Sequence, residues 1–136
     1  MRKMFLIIIF FLLGYAVFSA PSDNHIFLCR KCCVIAIKNT HPNSSNCPSS
    51  GSHQWTNLGT EGNKIYLCQK CSKIVKVTSR PNTSNCPASG SHIWNYLGEH
   101  GHAQYQCRKC KIKVFTEKMP NTNNCLSGGS HQWSKF

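Results

Sequence analysis

Apolar residues in this chain fall into one dense block followed by short, evenly spaced bursts. The block runs from Phe5 to Phe18 behind Arg2 and Lys3, and ends at Ser19-Ala20-Pro21 and a polar stretch. A basic start, a 14-residue apolar core and a small-residue exit have the form of a secretory signal, with cleavage after Ser19. The sequence thus predicts a signal peptide over 1–19 and a secreted or periplasmic mature protein. An uncleaved membrane anchor is the rival, although the run falls short of the roughly 20 residues that span a bilayer.

The later bursts are Val34-Ile35-Ala36-Ile37, Ile74-Val75-Lys76-Val77 and Ile112-Lys113-Val114-Phe115. They are short and rich in β-branched residues, which predicts strands. Between them lie Pro-Asn pairs and Asn/Ser-rich stretches that exclude a helix of useful length. A strand, a tight turn, a second strand, a long turn and a Trp-bearing third strand make a small β ribbon.

The spacing of the bursts reflects an internal repeat of 39 residues. Cys29, Cys32, Cys47 and His53 recur as Cys68, Cys71, Cys86 and His92, then as Cys107, Cys110, Cys125 and His131. Each copy reads C-x2-C-x14-C-x5-H without insertion or deletion. A lysine recurs inside every CxxC (Lys31, Lys70, Lys109), and an asparagine precedes every third cysteine (Asn46, Asn85, Asn124). Gly-Ser precedes each histidine, and Trp55, Trp94 and Trp133 follow it by two. From the aromatic before the first cysteine to the Trp, the units span 27–55, 66–94 and 105–133. The linkers 56–65 and 95–104 both contain Leu-Gly-x-x-Gly, which predicts a turn that folds the Trp strand back as a hairpin.

Composition decides what the repeat is for. A 29-residue unit buries too little apolar surface to offset chain entropy and needs a cross-link. Three cysteines and a histidine at these spacings match a tetrahedral zinc site, and binding free energy then becomes folding free energy. An exported protein favours disulfides by compartment, but three cysteines cannot pair within one unit, and disulfides need no histidine at a fixed place. A thioredoxin-like redox role requires a helix start after the first cysteine, where strands are predicted. Iron could replace zinc, since thiolate-rich tetrahedral sites accept it. Cys33, the tenth cysteine, has no counterpart in the other copies. Placed in a strand beside Cys32, it is expected to point away from the metal, free or in an intermolecular disulfide.

The units resemble the zinc-ribbon class of small β-knuckle modules, on Cys29-Arg30-Lys31-Cys32 and its copies with the Cys and His that follow. They depart from it in closing with Cys-x5-His rather than a second CxxC. They also carry Cys33, Ser72 and Lys111 where knuckles place a glycine. The resemblance implies structural zinc and a binding surface, not a reaction. The fold expected is small, mostly β and metal-stabilised, with three tandem zinc-ribbon-like modules, three Zn²⁺ ions and no enzyme activity. Asp23, Glu61, Glu99 and Glu117 supply no carboxylate column in which a repeated site would find its base.

Charge narrows the partner. The formal charge is +12, from 16 Lys+Arg against 4 Asp+Glu. It falls to about +7 once Arg2 and Lys3 leave and each zinc with three thiolates contributes −1. A basic surface on tandem modules predicts an anionic partner: polysaccharide, lipid or nucleic acid. No small-molecule substrate is expected. Nucleic acid becomes the first choice if the N-terminus is not a signal. A disulfide-rich cationic secreted factor and an extracytoplasmic zinc buffer complete the range of roles that this composition allows.

Overall fold

A computed structural model describes residues 23–136; the expected signal segment, 1–19, lies outside the described residues. Every regular element among these is a strand: β1 (His25–Cys29), β2 (Ile35–Lys38), β3 (Trp55–Cys68), β4 (Ile74–Val77), β5 (Trp94–Cys107), β6 (Lys113–Thr116) and β7 (Trp133–Lys135). The apolar bursts supply β2, β4 and β6, as expected.

Each copy of the repeat builds a three-stranded antiparallel ladder. In the first, β1 pairs with β2 (Phe27↔Ala36) and with the first half of β3 (Cys29↔Trp55). In the second, the rest of β3 pairs with β4 (Tyr66↔Val75) and with the first half of β5 (Cys68↔Trp94). In the third, the rest of β5 pairs with β6 (Tyr105↔Val114) and β7 (Cys107↔Trp133).

The linkers do not turn. β3 and β5 each run 14 residues straight through them, leaving one ladder and entering the next. The glycines that promised a hairpin serve two different ends. Gly59 and Gly98 have φ of +133° and +139°, at β-bulges: Ile26 pairs with Gly59 and Phe27 with Asn57, so Leu58 is the extra residue. Gly62 and Gly101 are places of close approach. A Cβ on Gly62 would fall 2.5 Å from the backbone N of Thr78, and one on Gly101 2.6 Å from Cα of Glu117.

The apolar core lies largely between units rather than within them. Ile26, Leu28 and Leu58 from the first cluster with Val75, Val77, Cys86 and Trp94 of the second. Ile65, Leu67 and Leu97 cluster in the same way with Tyr105 and Val114 of the third. The repeat columns show what ends the stack. Where Val75 and Val77 face back toward the preceding unit, the first copy has Ala36 and Lys38. Where Ile26 and Leu28, then Ile65 and Leu67, face forward, the third copy has Gln104 and Gln106. Repeat arrays need terminal units with polar outer faces, and here both outer faces carry the change.

Candidate metal centres

Each first cysteine is the last residue of a strand, and the chain then doubles back on itself. The carbonyl of Cys29 accepts the N–H of Cys33 at 2.9 Å, and the Cys29 N–H donates to Val34 at 3.0 Å. Ser72 with Cys68, and Lys111 with Cys107, repeat this turn at 2.9 Å. Cys33, Ser72 and Lys111 all have left-handed backbones, with φ of +61°, +59° and +64°. The turn therefore keeps the conformation for which knuckles use glycine, at some strain for an L residue. Cys33, expected in a strand, instead precedes β2, partly exposed and outside the donor set.

The third cysteine opens a second turn, in which the Cys47 N–H donates to Gly51 at 2.9 Å. The recurring asparagine before it is left-handed in all copies, at φ of +58° to +59° for Asn46, Asn85 and Asn124, a conformation asparagine tolerates well. The Pro-Asn asparagines close Asx turns: Oδ1 of Asn43, Asn82 and Asn121 accepts the N–H two residues on, each at 2.9 Å. The residue thus has the same backbone use in every copy.

The lysine inside each CxxC ties the two turns together. Lys31 Nζ donates to the carbonyls of Ser50 and Ser52, Lys70 to that of Ser89, and Lys109 to those of Gly128 and Ser130. These lysines count toward the basic surface expected from the sequence, yet backbone carbonyls engage their ammonium groups. Their recurrence in every copy carried the signal of this internal role.

These turns bring all twelve expected ligands into three groups: Cys29, Cys32, Cys47, His53; Cys68, Cys71, Cys86, His92; and Cys107, Cys110, Cys125, His131. Within each, the four donor atoms lie within 4.8 Å of one another. Nδ1 is the ring nitrogen that faces the sulfurs, at 3.4 Å from Cys32, 3.6 Å from Cys71, 3.3 Å from Cys68 and 3.5 Å from Cys110. Cys107 and Cys125 are 3.9 Å apart. A tetrahedron with metal–sulfur bonds of about 2.3 Å and a metal–nitrogen bond of about 2.0–2.1 Å separates N from S by about 3.5 Å and S from S by about 3.8 Å. A disulfide needs about 2.05 Å, and the described cysteines are all unbridged. The donor sets fit a metal ion.

The electrostatics fit as well. Burial opposes ionisation of Cys29 and Cys107, yet donors on Cys32, His53 and Gln54, or their equivalents, outweigh it and bring both thiols down to about 6. Cys68 is lowered too, against its burial, by backbone N–H groups of which that of Cys71 is the strongest. The second cysteine moves the other way. Burial, then the first thiol beside it, raises Cys71 to about 12 and Cys110 to about 11. Burial and then Lys70 lower His92, which keeps the imidazole in its neutral, ligating form.

A tryptophan covers each histidine. The His53–Trp55, His92–Trp94 and His131–Trp133 rings stack at 4.6 Å with planes 17–19° apart. Each indole N–H donates to the Pro-Asn carbonyl, from Trp55 to Asn43 at 3.0 Å, Trp94 to Asn82 at 2.9 Å and Trp133 to Asn121 at 3.0 Å. Nε2 of His92 and of His131 is buried without a hydrogen-bond partner among the described residues. Metal-bound imidazoles usually hold that nitrogen on a carbonyl or carboxylate. Here the anchored indole fixes the ring.

No family model, curated protein or solved structure matches the chain.

Proposed function

We propose that each donor set holds one structural Zn²⁺ and that the protein is an exported binding module for an anionic partner. The observation that carries the zinc is the convergence of three sulfurs and one Nδ1 at tetrahedral spacing, three times over. Thiolate and imidazole donors suit zinc, and four protein donors leave no coordination position for a substrate. The metal then serves the fold.

The apolar block at Phe5–Phe18 supports export, and 16 basic against 4 acidic residues support the partner. Stacked units of fixed spacing suit multivalent contact with a repetitive polymer. Retention of the zinc-loaded protein on immobilised heparin against rising salt tests the partner. We expect elution well above about 0.15 M salt; passage through the column at low salt contradicts the reading.

A further inference from the structure

The residue after the first cysteine is Arg30, Gln69 or Arg108, and the three side chains end differently. Arg108 donates from Nε to Ser134 Oγ at 2.6 Å. Gln69 donates from Nε2 to the Asn124 carbonyl at 3.3 Å, across the junction to the third unit. Arg30 is exposed, and its guanidinium has no hydrogen-bond or carboxylate partner among the described residues. It lines an open cleft of about 660 Å³ between the first two units, with Lys31 and Gln54 on one wall and Asn85, Pro87 and Ser89 on the other. At the next junction the columns of Gln54 and Pro87 are Ile93 and Leu126, so the first junction is the more polar of the two.

We propose that this cleft seats an acidic sugar residue of a polysaccharide, an inference that rests on the anionic-partner reading and narrows it. A guanidinium with free donors takes a carboxylate or sulfate bidentately, and Lys31 adds a second positive charge at the same wall. Gln54, Asn85 and Ser89 provide the amide and hydroxyl groups that ring hydroxyls require. The volume lies in the range of small-ligand sites, about 300–1,000 Å³. No aromatic side chain lines the cleft, so it lacks the stacking platform on which single-stranded nucleic acids rely.

The test titrates the zinc-loaded full chain with a heparin-derived tetrasaccharide at low salt, beside Arg30→Gln and Arg80→Gln variants. Arg80 is exposed and outside the cleft, so its removal controls for net charge. We expect Arg30→Gln to weaken binding about tenfold and Arg80→Gln about twofold or less, with unchanged zinc content showing that both fold. Equal loss in the two variants overturns the cleft and leaves the anionic-partner reading standing. So does binding of a single-stranded oligonucleotide in place of the saccharide. If neither ligand binds, both readings fall.

Discussion

Trp94 lies flat on His92, with ring centroids 4.6 Å apart and planes 17° from parallel, and its indole N–H is held by the Asn82 carbonyl at 2.9 Å. The stack does for the ligand ring what a hydrogen bond to its second nitrogen does elsewhere. Trp94 is also 6 % exposed and part of the core shared with the first unit.

Trp94→Ala therefore loses both core and ring support. Removing a buried Trp costs about 3–5 kcal/mol, and loss of ring orientation lowers metal affinity about 10–100-fold. Trp94→Phe keeps the stack and most of the area. Chelator competition should rank the affinities wild type, Phe, then Ala, with the Ala variant melting lowest. Equal metal affinity in all three would show that the stack does not orient His92.

Gly62 offers a cleaner test of the continuous strand. A Cβ there meets the Thr78 backbone, which cannot move aside as a side chain would. Gly62→Ala should destabilise by roughly 1–3 kcal/mol, the range of overpacking, and toward its upper end because the clash is with backbone. At Gly128, where nothing lies within 4 Å, Ala meets only left-handed strain of about 1–2 kcal/mol. Thermal melts that reverse this order would contradict the close approach.

The polar outer faces make a prediction about assembly. Gln104→Ile with Gln106→Leu, combined with Ala36→Val and Lys38→Val, gives each end the residues that pack between units. The quadruple variant should associate head to tail, as heterologous interfaces that do not close tend to grow. Light scattering should show a mass that rises with concentration, while wild type stays constant. A variant of constant monomer mass would mean that these columns do not cap the stack.

Metal binding should release protons, because the ligands must be deprotonated. Cys71 at about 12 and Cys110 at about 11 keep their protons at neutral pH until the metal displaces them. Cys29 and Cys107, at about 6, have largely lost theirs, and begin to compete only as pH falls through that value. Affinity should thus fall with acidification throughout, and more steeply below about pH 6. Calorimetry of metal binding in buffers of different ionisation enthalpy measures the release. No proton release at about pH 7 would contradict ligation by thiolate sulfurs.

The donor sets were legible in the sequence because ligand identity and spacing survive three copies without a shift. The His–Trp column was equally visible, though its spacing alone does not distinguish a stacked cover from ordinary core. The linkers misled because glycine serves a turn, a bulge and a close approach alike, and only the partner strand distinguishes Gly59 from a hairpin glycine. The inter-unit core was hidden for a different reason. Ile26 and Leu28 lie in the strand of their own unit, and nothing local says that Val75 and Val77 of the next unit cover them. The polar substitutions Gln104 and Gln106 held that information, as breaks in an apolar column.

Native mass spectrometry of the protein, with circular dichroism before and after chelation, tests the central claim most directly. Three Zn²⁺ per chain, lost together with the β signal and regained on adding zinc, is the result expected of ions that hold the fold. A metal-free chain of unchanged fold, lighter by about 2 Da for each pair of cysteines joined as a disulfide, would contradict it.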